Sequence, residues 1–550
     1  MAKYAKLAAT PIPQSEPLDE RQVLNNAEGW VYQIDDWARL DRFLVLGSSE
    51  ATYYQKAPAL TRENAKCVTR CYDESPVRTV QAIFDVSDKA RAPKNDAAIF
   101  ALAIGASHKD LNVRKTALAV LPGVCRTSTH LFQFLDCVRS LGRGWGRGLK
   151  RAVAKWYNMR DVGDVAYQAI KYRAREGYTH KRALELAHAP VGADYARRAL
   201  YRWMKNKEVP LIDLPPLVRA HMRAMSDEIT AENRLDLIKE YRLPWEAIPT
   251  SETKNPAIWQ AMLPNMGLTA LIRNLGAMTS YDVFKPLSDE VSLVCKRLTD
   301  ESELQKARVH PFGLLQALVI YKDGHGFRGK LSWSPVGNIA DALEEAYYKS
   351  FKFVVPTNKR TLIALDVSGS MGSRFNDSAL TVREAAGCMA MVTARTEPKH
   401  HIVGFTSALP GGWTYRAKSH HSWSGFCRHG DGIAPLDITA RMQLDRVVKT
   451  IEVTQFGATD CALPMLYAQA KGLDVDVFVI YTDNETWSGN VHPMQALRDY
   501  RKSSGILAKL ATVGMTSTGF SISDPDDGGC MDVVGFDAAA PSVIADFARK

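Results

Sequence analysis

Thr361-Leu362-Ile363-Ala364-Leu365-Asp366-Val367-Ser368-Gly369-Ser370 decides how the C-terminal part of this chain is read. An apolar run leads straight into an aspartate and a serine-rich turn. A short, uninterrupted apolar run bounded by turn residues is the pattern of a strand buried on both faces. Further β-branched runs follow at Val475–Thr482, Leu507–Met515 and Asp532–Phe536, and another strand is expected at His401–Thr406. Helical spacing fills the gaps, at Ala379–Arg395, Met442–Val453, Leu463–Lys471 and Pro493–Arg501. Buried strands alternating with helices predict a parallel, doubly wound α/β domain. Its ligands are expected beyond the carboxyl ends of the strands.

Upstream of Val355-Pro356-Thr357-Asn358-Lys359-Arg360 the character is different. From about Leu18 to Val355, apolar residues recur at spacings of three and four, as in Asn112–Val120, Leu149–Tyr157 and Asn338–Phe353. Turn signals such as Leu121-Pro122-Gly123 cut the pattern into helices of ordinary length. So long a helical region is more economically stacked as helical pairs than packed as one bundle, although no repeat of fixed period is visible. The expected organisation is a flexible leader over residues 1–18 (with Pro11, Pro13 and Pro17), an all-α helical-repeat, HEAT-like region over 19–356, and the α/β domain over 357–550.

The 550 residues are too many for one core. A composition of 46% hydrophobic and 24% charged residues excludes wholesale disorder. The net charge is +10, and it is unevenly placed. From Thr357 onward, 19 Lys and Arg face 20 Asp and Glu, which leaves 51 against 40 in the helical part. The whole basic excess therefore sits with the helices, where a polyanion is the expected partner. Nine cysteines, an odd number without a CxxC pair, read as reduced thiols. Cys67 and Cys71, four apart on an expected helix, are too few for a zinc site. No apolar run reaches the roughly 18–20 residues that span a bilayer, and the N-terminus lacks a signal-peptide core. A soluble, cytoplasmic protein is expected.

Three motifs fall at expected strand ends: Asp366-Val367-Ser368-Gly369-Ser370, Gly457-Ala458-Thr459-Asp460 and Thr482-Asp483-Asn484. All offer oxygen donors, which suit a hard cation such as Mg²⁺. Together they resemble the metal-ion-dependent adhesion site of von Willebrand factor A domains. That resemblance implies a divalent metal bound directly by Ser368, Ser370 and Thr459, with Asp366 and Asp483 acting through water or orienting the hydroxyls. It also implies an open position for a carboxylate from an acidic protein ligand. No Walker lysine loop, HExxH or serine elbow is present, so no catalytic residue and no enzyme is expected.

Two helical-region stretches combine cations with aromatics. One runs from Arg143 through Trp145, Arg147, Lys150 and Arg151 to Lys155 and Trp156, without an acidic residue. The other runs from Lys171 through Arg175 and Tyr178 to Lys181 and Arg182, and on to His188. Helical spacing would put Lys171 with Arg175 on one face, and Lys181 with His188 on a face of the next helix. Such surfaces pair with phosphates and stack bases; a solvated basic helix face would carry the same residues.

Several ordered motifs resemble the TROVE module of the Ro sixty-kilodalton autoantigen family and its bacterial relatives. They are Arg42-Phe43-Leu44-Val45-Leu46-Gly47-Ser48 with Thr52-Tyr53-Tyr54, Thr129-His130-Leu131-Phe132, Gly177-Tyr178-Thr179-His180-Lys181, Arg273-Asn274-Leu275-Gly276, His310-Pro311-Phe312 and Gly324-His325-Gly326-Phe327-Arg328-Gly329-Lys330. In the α/β domain they continue through Thr482-Asp483-Asn484-Glu485-Thr486 and Ser523-Asp524-Pro525-Asp526-Asp527. The resemblance implies a ring of helical repeats whose ends the A domain bridges. It implies a small noncoding Y-like RNA on the outer surface, held with help from Lys171, Arg175 and His188. It also implies misfolded RNAs with single-stranded ends in the central hole, a role in RNA quality control or decay, an exoribonuclease partner and a monomer. The other reading is a metal-dependent protein adhesion scaffold without RNA. Pro410–Gly432, with His420, His421, Cys427 and His429, departs from the animal pattern and is expected to be a packed or partner-facing loop.

Overall fold

The computed structural model describes residues 10–47, 65–327, 329–351, 354–374, 378–407, 432–452 and 458–550. Short helices follow one another from Asp36–Leu46 to Gly337–Lys349. Their starts are written in the sequence. Asp35, Asp110, Thr127, Asp161, Thr230 and Ser288 each accept an early backbone N–H of the helix they precede. Pro76, Pro216, Pro256 and Pro311 occupy first turns, where a missing N–H costs nothing. Most helices are two-faced. Arg147–Asn158 buries Leu149, Val153, Trp156 and Tyr157 and leaves Arg147, Arg151 and Lys155 in solvent. Asp96–Ala106 is apolar all round and is buried from Ala97 to Ala106, packed against Leu111–Ala119 and Ser128–Ser140.

Each helix packs on near neighbours in sequence. Arg147–Asn158 lies on His180–Ala187, Val162–Lys171 on Pro216–Ala224, Leu268–Ser280 on Pro311–Asp323, and Asp289–Leu298 on Gly337–Lys349. The array then returns on itself. Arg308 donates to the Asp88 carboxylate at 2.6 Å and to the Asp88 carbonyl at 2.8 Å. His310, buried, directs Nε2 at the carbonyls of Arg91 (3.0 Å) and Phe536 (2.9 Å), joining both ends of the array to the second domain.

Among the described residues, nine strands concern the second domain. Two come early, β1 (Gln22–Leu24) and β2 (Trp30–Gln33). The others are β3 (Thr361–Asp366), β4 (His400–Phe405), β5 (Ile433–Pro435), β6 (Val477–Thr482), β7 (Lys509–Gly514), β8 (Phe520–Ser521) and β9 (Cys530–Val534). The main sheet has the order β9-β7-β6-β3-β4-β5. It is parallel except for the short edge strand β5, which runs antiparallel to β4. That edge strand was not expected from the sequence; three residues ending in a proline leave almost no periodic signal. The C-terminal helix Ala540–Arg549 was likewise not expected.

Strand alternation divides the core. Ile363, Leu365, Val477, Val479 and Tyr481 face the side that merges with the helical array. Leu362, Ala364, Phe478 and Ile480 face a second cluster under Leu463–Lys471 and Pro493–Ser504. Both faces are covered, which is why these strands read as continuous apolar runs.

The start of the chain differs from expectation. Residues 10–18 are not a loose leader in this structure: Gln14 is fully buried against the α/β domain. β1 and β2 form a small antiparallel sheet with β8. Just behind it, Arg42 is buried at 1% exposure and grips Asp532 with Nη2 at 2.7 and 2.8 Å. Its Nη1 donates to the carbonyls of Thr518 (2.6 Å) and Phe520 (2.9 Å). The described cysteines are free thiols, with Cys67 and Cys71 buried on the helix Lys66–Glu74.

Candidate metal centre and nucleic-acid interface

β3 ends at Asp366, and the chain turns through Ser368 and Ser370 above the sheet. Asp366 Oδ1 accepts the Ser368 N–H at 2.9 Å, and Oδ2 accepts the Thr482 hydroxyl at 2.7 Å. Ser368 and Ser370 place their hydroxyl oxygens 3.0 Å apart. Asp483 follows β6, the neighbour of β3; one of its oxygens accepts the Glu485 N–H at 3.1 Å, and Oδ2 is buried without a partner among the described residues. Thr459 reaches the same place from the other side. Its neighbour Asp460 donates its N–H to the Thr406 carbonyl beyond β4 (2.8 Å), and the Thr459 carbonyl accepts the Trp487 N–H (3.1 Å) beyond β6. Its loop thus spans the end of β3, which lies between those two strands. All five residues are buried, and the three loops converge.

The electrostatics match a site short of positive charge. Burial, and then the Asp483 charge, push Asp366 up to about 7. Burial raises Asp483, and it holds Asp460 at about 6. Burial and Asp483 lift Glu485 to about 8. Among the described residues no group of three His, Cys, Asp or Glu side chains forms a metal cluster. Ser368, Ser370 and Thr459 would therefore have to supply hydroxyls to complete any cation shell. The unpartnered Asp483 oxygen and the paired serines fit that requirement, since hard divalent cations take neutral and charged oxygens together. The role of Thr482 in holding Asp366 was not read from the sequence; a threonine ending a strand carries no mark of it.

The basic residues are arranged otherwise than spacing implied. The helix Val162–Lys171 ends at Lys171, and Arg175 sits on a two-residue ribbon, Ala174–Arg175 paired with Tyr178–Thr179. The two therefore do not share a helix face. Gly177, at φ 74°, makes the turn that interrupts the periodicity. Lys171 Nζ lies 3.1 Å from the Tyr167 hydroxyl, and exposed Arg175 pairs with Glu176 at 3.0 Å. Lys181 lies on the helix His180–Ala187, but His188 is the left-handed residue after it (φ 50°, ψ 45°), so these two do not share a helix face either. Both are exposed. Arg143 precedes the helix that carries Arg147, Lys150, Arg151 and Lys155. Arg143, Arg147, Arg151 and Lys155 are exposed, and none of the five pairs with a carboxylate among the described residues. This helix packs on the one bearing Lys181, so the two basic stretches are neighbours. Thr52 to Tyr54, Arg328, Gly457 and most of the expected 410–432 loop lie outside the described residues.

A helical array closed through a von Willebrand-type α/β domain, with an oxygen-lined loop cluster at the strand ends, defines the class. A family model described as the TROVE domain matches residues 23–211 and 213–319, and one described as the Ro60 vWA domain matches residues 360–548. The chain belongs to the Ro60 family. It is 41% identical to the "RNA-binding protein RO60" of Deinococcus radiodurans, covering 98% of this chain and 97% of that one. The protein of the same description from Caenorhabditis elegans is 32% identical, covering 97% and 91%. The crystal structure of the Deinococcus radiodurans RO (RSR) protein superimposes with a TM-score of 0.68 at 40% identity, over 94% of this chain and 99% of that one. No described helix is long and apolar enough to cross a membrane.

Proposed function

We propose that this chain is a non-catalytic RNA-binding scaffold of a Ro ribonucleoprotein. One observation carries the reading: Arg147, Arg151 and Lys155 recur one turn apart on an exposed face without carboxylate partners among the described residues. Cations left unpaired by the protein are available to phosphates, whose counterions they displace. The relatives described as RNA-binding proteins support the same reading. Lys171, Arg175, Lys181 and His188, on the adjoining elements, would hold a small Y-like RNA on the outer surface. Single-stranded ends of misfolded RNAs would enter the hole of the array, and an exoribonuclease partner would do the cutting. The protein would work as a cytoplasmic monomer.

The α/β domain would hold Mg²⁺ through Ser368, Ser370, Thr459, Asp366 and Asp483. A divalent cation there supplies an electrophilic position for a partner carboxylate. The residues themselves hold the loops in place: Thr482 fixes Asp366, and Asp366 fixes the backbone of Ser368.

The deciding experiment isolates the protein from its native cells and sequences what accompanies it. A discrete small RNA, removed by nuclease, is expected. A protein free of RNA that also fails to retard structured RNA in low salt overturns the proposal.

A further inference from the structure

The N-terminal arm reaches the loops of the candidate cation site. Gln14 enters between the Thr459 loop and the loop after β6. Its Nε2 donates to Asp460 Oδ1 and to the Val491 carbonyl, each at 2.8 Å. Its Oε1 accepts the Thr486 hydroxyl, and its backbone N–H donates to the Gly489 carbonyl at 2.9 Å. Asn25 Nδ2 donates to the carbonyls of Thr486 (2.8 Å) and Asn484 (3.2 Å). Asn26 Nδ2 and the Ala27 N–H donate to the Glu485 carboxylate at 2.7 and 3.2 Å. The fit leaves no slack: a Cβ on Gly29 would lie 1.8 Å from the Thr486 carbonyl oxygen, and one on Gly489 would lie 2.3 Å from Gln14 Nε2.

We infer that this arm is a positioning strap for the cation site, with Gln14 and Asn25 as positioning residues. The inference rests on the reading of Asp366, Ser368, Ser370, Thr459 and Asp483 as cation ligands. Neither positioning residue is a ligand. Gln14 holds Asp460, next to Thr459, and also Thr486; Asn25 holds the backbone on both sides of Glu485, two residues past Asp483. One short segment thus fixes the spacing between the Thr459 and Asp483 loops. Mg²⁺ tolerates little departure from octahedral geometry, so ligands on separate loops bind it well only if their spacing is fixed beforehand. The arm runs on through β2 into the helix Asp36–Leu46, which carries Arg42. The strap therefore ties the cation loops to the first helix of the array.

The test uses the full chain and compares Gln14→Met, Asn25→Ala, Asp366→Ala and, as a control on the same arm, Arg21→Ala. Arg21 bonds Asp524 and, among the described residues, touches neither cation loop. The readouts are the midpoint of the thermal shift as MgCl₂ is added, and Mn²⁺ binding followed by electron paramagnetic resonance. Residues that orient metal ligands typically change affinity by about 10–100-fold when replaced. A change of that size is expected for Gln14→Met and Asn25→Ala, complete loss for Asp366→Ala, and a lowered Tm with an unmoved Mg²⁺ midpoint for Arg21→Ala. Should Gln14→Met not fold, Asn25→Ala decides alone. Wild-type midpoints in the arm variants, with Asp366→Ala inactive, overturn the strap and spare the cation reading. A wild-type chain without any Mg²⁺ or Mn²⁺ response overturns both.

Discussion

Arg308 and Asp88 stand 220 residues apart in sequence, yet the guanidinium meets the carboxylate at 2.6 Å and the Asp88 carbonyl at 2.8 Å. This pairing joins the end of the helical array to its beginning. Both side chains are well exposed, so the pair itself contributes under about 1 kcal/mol. His310, two residues on and buried, is a different case, because its removal takes a buried donor away from the carbonyls of Arg91 and Phe536. Arg308→Ala should lower stability by less than about 1 kcal/mol, and His310→Ala by about 1–3 kcal/mol. Denaturant titration checks the order; equal effects would show that closure does not depend on the buried histidine.

Arg42 is the second latch. Its guanidinium is almost wholly buried between Asp532 and the Thr518 and Phe520 carbonyls. Removing one partner of a buried pair strands the other, at a cost of about 3–5 kcal/mol. Arg42→Ala should fall in that range and increase protease cleavage around the N-terminal arm. A destabilisation below about 1 kcal/mol would mean that the latch is not closed in solution.

Acid should loosen the helical array. Burial pushes His130, His180, His221 and His310 each down to about 4, helped at His130 by Arg126 and at His221 by Arg173. The unfolded chain takes up these protons near 6.5, the folded chain only near 4. Between those values the unfolded state binds more protons, so stability present above about 6.5 is lost as pH falls toward 4. Unfolding free energies from pH 7.5 down to 5 should decline steadily, and less so in His180→Phe. A flat profile would contradict the buried neutral state.

The basic helix makes a prediction of its own. Charge reversal in Arg147→Glu with Arg151→Glu should weaken RNA binding and flatten its salt dependence by about 0.7–0.9 for each phosphate no longer neutralised. Lys171→Ala with Arg175→Ala should cost roughly tenfold in affinity for a Y-like RNA, about 1.4 kcal/mol. Filter binding at several salt concentrations measures both. Unchanged slopes in both double variants would place the RNA elsewhere.

If the cation loops act as proposed, Mg²⁺ should stabilise the wild-type protein and Asp366→Ala should abolish that stabilisation. Ligand binding raises stability by RT ln(1 + [L]/Kd), about 2.7 kcal/mol at one hundred times Kd. Thermal melts at saturating Mg²⁺ report it, and equal shifts in both proteins would remove Asp366 from the site.

The sequence alone was enough to place Asp366, Ser368, Ser370 and Asp483 at or just after strand ends, because a strand buried on both faces writes a continuous apolar run and the turn after it stands out; Thr459, expected at a strand end, instead lies in the loop before the helix Leu463–Lys471. It was also enough to separate the basic helical part from the near-neutral α/β domain, since charge is additive along the chain. Tertiary structure decided the rest. Lys171 and Arg175 kept their spacing in sequence but not on one helix, because the helix stops at Lys171 and the chain folds into a ribbon through the turn at Glu176 and Gly177. The long-range contacts of Gln14, Asn25 and Arg42 leave no local signature, since those partners lie more than 400 residues away. Periodicity reports which face of an element is buried; only the closed fold determines what that face meets.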